Sequence, residues 1–114
     1  MLNQVILVGR LVRDIEVKKN ESSKNVATCT LAVPRSFKSK DGIIETDFIN
    51  CTLWDVVALN TSEYCKKGDI VGIKGRLQSR VREVDGVNHH ELYLVAEKVT
   101  FLSGHTTDKQ DSEE

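Results

Sequence analysis

Hydrophobic positions along this chain follow the period of a strand almost throughout. The run Gln4-Val5-Ile6-Leu7-Val8-Gly9-Arg10-Leu11-Val12 is β-branched and nearly continuous, the pattern of a strand buried on both faces. A second strand is predicted through Val26-Ala27-Thr28-Cys29-Thr30-Leu31-Ala32-Val33. Pro34 follows it and has no N–H for a ladder, so pairing should end there or pass to an edge. Asp41-Gly42 marks a turn, and Thr46 to Trp54 returns as the third strand, giving a hairpin with a long basic loop from Ser36 to Gly42. Only one segment reads as helix. Asp55 is placed as its N-cap, Val56 to Lys67 as its body, and Leu59, Tyr64 and Cys65 as its inward side. Lys66 and Lys67 suit the negative end of the helix dipole, and Gly68 supplies the stop. A long strand from Ile70 to about Arg82, a turn at Asp85-Gly86 and a strand from His89 to Val99 complete the pattern.

Three strands, one short helix and two more strands predict an all-β fold. That chain order is the one of the five-stranded oligonucleotide-binding barrel, with its helix between strands 3 and 4. Small sandwiches and other five-stranded barrels share the pattern. From Ser103 to Glu114 no periodicity remains, so the expected organisation is one domain over residues 1–102 and a short acidic, disordered tail over 103–114. At 114 residues there is room for one core and not for a second domain. No stretch approaches the roughly 18 consecutive apolar residues of a membrane helix, and the start lacks a charged segment followed by an apolar run, so a cytoplasmic protein is expected. Cys29, Cys51 and Cys65 are odd in number and widely spaced, which fits buried thiols in a reducing compartment rather than a disulfide framework.

Charge changes the picture once it is divided along the chain. The net value of −1 argues against a nucleic-acid partner, yet 15 of the 16 cations and 13 of the 17 anions lie in residues 1–102, which therefore carry +2. Within that part, the strand from Ile70 to Arg82 puts Val71, Ile73, Leu77 and Val81 on one face and Lys74, Arg76, Gln78, Arg80 and Arg82 on the other. Such a ladder can blunt an exposed edge, or it can follow the phosphates of an extended single strand. Four cations in five positions, with no acid among them, favour the second use. Aromatic residues are few: Phe37 lies in the basic loop beside Arg35, Lys38 and Lys40, Phe48 begins the return strand and Trp54 ends it. Rings among cations are what base stacking without sequence preference needs, although Phe48 and Trp54 serve equally well as core, and Tyr93 and Phe101 are assigned to packing. His89 and His90 point to opposite faces of a strand, no CxxC pair occurs, and no phosphate loop or nucleophile elbow is present. Neither a metal, nor a cofactor, nor catalysis is expected.

Taken together, several segments resemble the bacterial single-stranded DNA-binding proteins. They are Val5-Ile6-Leu7-Val8-Gly9-Arg10-Leu11, Thr30-Leu31-Ala32-Val33, Arg35-Ser36-Phe37-Lys38 and Asp47 to Trp54, followed by Tyr64-Cys65-Lys66-Lys67-Gly68, Gly75 to Arg80 and Glu97-Lys98-Val99. The resemblance implies an oligonucleotide-binding barrel that forms a homotetramer and holds single-stranded DNA with little sequence preference, in replication, recombination and repair. It places Phe37, Phe48 and Trp54 as stacking rings, and Lys18, Arg35, Lys38, Lys40, Lys66, Lys67 and Arg80 at or beside commonly basic positions. With Arg10, Lys74, Arg76 and Arg82 these form the expected single-strand site. Departures are Arg82, where the family usually has a further stacking ring, Asp55-Val56 in place of a small and a basic residue, and Lys19 in place of an aromatic. The last residues, Asp111-Ser112-Glu113-Glu114, are acidic but lack the apolar-Pro-Phe tip through which family members recruit partners. A shortened paralogue serving DNA uptake or a mobile element is therefore expected. An interaction module with weak DNA binding and an RNA-binding barrel are the competing readings.

Overall fold

Alternation of inward and outward side chains shapes a closed sheet. The computed structural model describes residues 1–104, which form β1 (Val5–Leu11), β2 (Lys18–Lys19), β3 (Asn25–Lys38), β4 (Ile44–Trp54), α1 (Asp55–Tyr64), β5 (Ile70–Val84) and β6 (Val87–Ser103). The strands lie in the order β1-β5-β6-β4-β3-β2, and an extra pairing of β1 with β3 closes the five long strands into a barrel. All neighbours are antiparallel except β4 and β6, which run parallel through Cys51↔Leu94 and Thr52↔Val95. This is the expected architecture, with the helix after the third long strand and the two-residue β2 as an addition. The tail expected over residues 103–114 begins too early: Ser103 is the last residue of β6, paired with Ile70, and residues 105–114 lie outside the described residues.

In the barrel portions of the long strands, alternating inward residues build one core. Ala27, Cys29 and Leu31 of β3, Cys51 and Leu53 of β4, and Val71 and Ile73 of β5 are all buried, and α1 contributes Ala58. Two glycines let strands approach more closely than any side chain would permit. A Cβ on Gly9 would sit 2.8 Å from the Ala32 carbonyl oxygen where β1 meets β3, and one on Gly75 would run into the carbonyl oxygen of Val95. At Gly75 the β5–β6 register also shifts: Lys74 pairs with Lys98 and Gly75 with Ala96, leaving Glu97 as an extra residue in β6. Such a bulge increases coiling, which a five-stranded barrel needs in order to close.

Several expectations about local structure are corrected. β1 is buried on one face only: Val5, Leu7, Gly9 and Leu11 turn inward, whereas Ile6 is 68% and Val8 53% exposed. Pairing does not stop at Pro34. It becomes irregular between Pro34 and Lys38, then resumes at Lys38↔Ile44, so the basic loop contracts to a tight turn in which Gly42 N–H donates to the Ser39 carbonyl. Both outer hairpins therefore run on as two-stranded arms, β3–β4 past Pro34 and β5–β6 past Leu77. In the second arm the side chains of both faces are largely exposed. The helix starts differently as well. Trp54 occupies its N-cap position without a side-chain hydrogen bond, and Asp55 is the first helical residue with a φ of 49°. It ends at Tyr64, before Lys66 and Lys67, and its buried side is Ala58 and Thr61. Leu59 and Tyr64 are exposed, while Cys65 is buried as foreseen. A 10-residue helix packed on a curved sheet has room for one narrow buried stripe, and small residues occupy it. Among the described residues, no helix is long and apolar enough to cross a membrane.

Candidate nucleic-acid interface

The outward positions of β3 and β4 make the first wall of the site. Cross-strand pairing sets Val26 against Trp54, Thr28 against Thr52, Thr30 against Asn50 and Ala32 against Phe48. Leu53 and Cys51 fill the core, so Trp54, Thr52 and Phe48 share the other face of β4. Trp54 is 37% and Phe48 67% exposed, which removes the reading of either ring as core. They stand about 20 Å apart along the strand, at ~3.3 Å per residue.

The second wall comes from the β5–β6 ladder. Asp85 and Gly86 both have positive φ, the geometry of a two-residue turn whose twist matches its strands, and the turn registers Arg82 with His89, Arg80 with Glu91 and Gln78 with Tyr93. Arg80 lies over the Tyr93 ring, its guanidinium carbon 4.0 Å from the ring centre. The Tyr93 hydroxyl donates to Glu91 Oε1 at 2.8 Å, and Arg82 meets Glu91 Oε2 at 2.8 Å. Between the walls is a cleft of about 390 Å³, lined by Val26, Thr28, Thr52, Trp54, Gln78, Ser79, Arg80, Tyr93 and Val95. Val26 and Thr28 also line a neighbouring depression of about 490 Å³ with Arg13, Asp14, Glu16 and Lys18. The two cavities thus form one path across the outer barrel surface.

Placement of the expected residues is uneven. Trp54 and Arg80 come together in the cleft, and Lys18 stands in the adjoining depression, 3.5 Å from Glu16. Lys66 and Lys67 lie in the turn after the helix. This turn is tied to the same depression, because the Lys67 N–H donates to Asp14 Oδ1 at 2.8 Å. Arg35, Phe37, Lys38 and Lys40 belong to the β3–β4 arm, where Phe37 is 70% exposed. Phe48 is on the Trp54 face but outside the cleft lining. Arg10 is elsewhere, in a shallow hollow with Val8, Ala32 and Pro34, and donates from Nη1 to the Gly68 carbonyl at 2.7 Å.

Carboxylates from neighbouring strands enter the ladder, which a reading of β5 alone missed. Arg76 meets Glu97 at 2.9 Å and Arg82 meets Glu91. In the arm, Arg35 clasps Asp47 through Nε at 3.1 Å and Nη2 at 3.0 Å, with Glu45 at 3.8 Å. The hydrogen bonds from Arg35 hold the Asp47 carboxyl below its ordinary range, and Asp47 raises Arg35 in return. Exposed pairs of this kind contribute little to stability, so a phosphate can displace them, but it gains less than it would from an unpaired cation. Sequence reading also missed Arg13, Gln78 and Tyr93 as lining residues. Tyr93 had a usable signal: the two-residue Asp85-Gly86 turn fixes which residue of β6 faces each residue of β5. The three thiols lie away from this surface, all buried. The neighbouring Cys51 thiol and then burial push Cys29 upward, and burial followed by the Asp69 charge pushes Cys65 upward, so both remain protonated at neutral pH.

A closed five-stranded barrel with one helix after its third long strand, carrying a groove with rings and cations on its outer face, is an oligonucleotide-binding barrel in class. More narrowly, residues 2–102 match the single-strand binding protein family, and the chain belongs to that family of DNA-binding, non-catalytic proteins. It is 48% identical over 103 residues to single-stranded DNA-binding protein B of Bacillus subtilis strain 168, covering 90% of this chain and 91% of that one. It is 46% identical over 103 residues to a single-stranded DNA-binding protein of Bacillus cereus, covering 90% of this chain but only 61% of that longer protein. Identity to single-stranded DNA-binding protein 3 of Streptococcus agalactiae serotype V is 40% over 114 residues, or 99% of this chain and 83% of that one.

Proposed function

We propose that the protein binds single-stranded DNA with little sequence preference across the outer barrel surface and the β3–β4 arm. Bases stack on Trp54, Phe48 and Phe37, while Lys18, Arg35, Lys38, Lys40, Lys66, Lys67, Lys74, Arg76, Arg80 and Arg82 meet phosphates. The observation that carries this reading is the convergence of Trp54 from β4 and Arg80 from β5 on one cleft, continuous with the Lys18 depression. Arg10, held against Gly68 in a separate hollow, has the weakest support as a DNA contact. The setting is cytoplasmic DNA metabolism: replication, recombination and repair, or DNA uptake. Because the cleft holds the molecule's single tryptophan, titration with oligothymidylate should quench its fluorescence. Affinity should also fall with salt at a log–log slope of about −0.7 per neutralised phosphate. A titration with neither quench nor salt dependence overturns the proposal.

The working form is a homotetramer. Supporting this, β1 meets β3 only at Arg10 and Leu11, so its edge over Val5–Val8 is open beside the outward Ile6 and Val8. Leu77, Val81 and Leu92 form a further exposed apolar row on the β5–β6 arm. Open edges and contiguous apolar surface are ordinarily covered in a stable protein, and other copies of the chain would cover both. Ile6→Glu should lower the molar mass measured by light scattering from four chains towards one. A monomeric parent protein refutes the assembly.

A second reading, an interaction module with weak DNA binding, draws on Arg35, Arg76 and Arg82 each being engaged by a carboxylate. Combining Phe37→Ala with Arg80→Ala separates the two, since a true binder should lose about 1–3 kcal/mol for the ring alone and a module should lose nothing.

A further inference from the structure

We infer that Tyr93 builds a subsite for one unpaired nucleobase, held between Trp54 and the Arg80–Tyr93 pair. The inference rests on the single-strand reading above and adds to it a residue and a pocket. Three observations converge on the pocket. Trp54 and Tyr93 come from different strands, β4 and β6, yet line the same cleft of about 390 Å³. Arg80 lies over the Tyr93 ring, its guanidinium carbon 4.0 Å from the ring centre, and both residues line that cleft. Finally, the Tyr93 hydroxyl is anchored on Glu91, whose other oxygen holds Arg82.

Each link has a physical role. A guanidinium plane stacks on a base much as a ring does, but a loose arginine loses rotamer freedom when it is used in that way. Tyr93 holds the Arg80 guanidinium in place before any ligand arrives, and Glu91 fixes Tyr93, so less freedom remains to be lost on binding. The flanking side chains suit a base edge better than an apolar guest. The Gln78 amide both donates and accepts, and the hydroxyl-bearing residues Thr28 and Thr52 line the same cleft. Arg82 stands two residues beyond Arg80 on the same face of β5. Here its charge is spent on Glu91, and through Glu91 it braces a ring two residues further along β6.

The test compares the parent protein with Tyr93→Leu and Tyr93→Phe on two strands of equal length, oligothymidylate and an abasic phosphodiester with no bases. The full chain is used, at fixed salt. Tyr93→Leu should weaken oligothymidylate binding about tenfold and reduce the Trp54 quench, while binding to the abasic strand stays within twofold. The salt slope should be unchanged, because no cation is removed. Tyr93→Phe keeps the ring and should lose less than threefold. If the parent binds oligothymidylate and Tyr93→Leu binds it equally well, the subsite is refuted while the single-strand reading stands. Equal losses on both strands also refute the subsite, since they show damage to the barrel rather than loss of a base contact. A parent protein that fails to bind oligothymidylate overturns both.

Discussion

The cleft and the β3–β4 arm each combine aromatic residues with cations, but they hold them in opposite ways. In the cleft, Trp54 stands on a strand whose neighbouring residue Leu53 is fully buried, and Tyr93 is fixed by Glu91 below Arg80. In the arm, Phe37 is mostly exposed on a two-stranded extension whose register breaks between Pro34 and Lys38, and Arg35 is clasped by acids of its own hairpin. Two-stranded ribbons away from a core are marginal by themselves. Trp54 stands on a barrel strand paired on both sides, while Arg80 and Tyr93, at the root of the β5–β6 arm, are held by their mutual contact and by Glu91. Pre-organised rings lose little freedom when a base arrives, and rings on an arm must first be ordered. The proposed division of labour follows: the arm captures the strand by charge and wraps it, and the cleft grips a base.

The comparison is first tested on stability, where the largest difference is expected. Leu53→Ala should cost about 2–5 kcal/mol in urea unfolding, because it empties a filled core position. Phe37→Ala should stay within about 0.5 kcal/mol, as for other exposed positions. Similar costs would mean that arm and body are not mechanically distinct.

Affinity sharpens the contrast next. With a labelled oligothymidylate followed by anisotropy, Trp54→Ala should lose towards the upper end of the roughly 1–3 kcal/mol typical of a stacked base, and Phe37→Ala towards the lower end. Equal losses would erase the distinction between fixed and mobile rings. Smaller effects are expected from the acids. Glu97→Gln releases Arg76 beside the cleft and Asp47→Asn releases Arg35 in the arm, so each should steepen the log–log salt slope by up to about 0.7. A slope unmoved by Glu97→Gln would show that Arg76 meets no phosphate, and the same result with Asp47→Asn would show it for Arg35.

The smallest expected effect separates body from arm by pH. The thiols belong to the barrel core, and Cys29 and Cys65 are pushed above their ordinary range. An unfolded chain ionises its cysteines above about pH 8.5 while the folded barrel keeps these two protonated, so the unfolded state binds fewer protons there. Stability should therefore decline as pH rises beyond that value. Replacing Cys65 by Ala should make the decline shallower, and an unaltered profile would contradict the assignment.

Much of the architecture was legible beforehand because it depends on local period and turn chemistry. The alternation along β3 to β6, the Asp41-Gly42 and Asp85-Gly86 turns, and the single helix between long strands were all in place. Where expectation failed, a longer-range cause had intervened. Asp55 resembles an N-cap, yet the chain leaves β4 so abruptly that Trp54 takes that position. Leu59 and Tyr64 looked inward by helical period, but the packed side of α1 admits only Ala58 and Thr61. β1 looked buried on both sides because its outward residues are apolar as well, and a single chain leaves them uncovered.

Sequence alone determined the two faces of β5, where the chain turns back, and that the ladder on β5 is cationic, because side-chain direction in a regular strand follows parity. Tertiary structure decided which faces meet. That Trp54, Arg80 and Tyr93 share a cleft, that Glu91 and Glu97 offset arginines of the ladder, and that Arg10 is diverted to Gly68 are consequences of barrel closure and of a one-residue bulge at Gly75. Contacts of this sort join strands remote along the chain, and their geometry is set by coiling and close backbone approach, which no local pattern encodes.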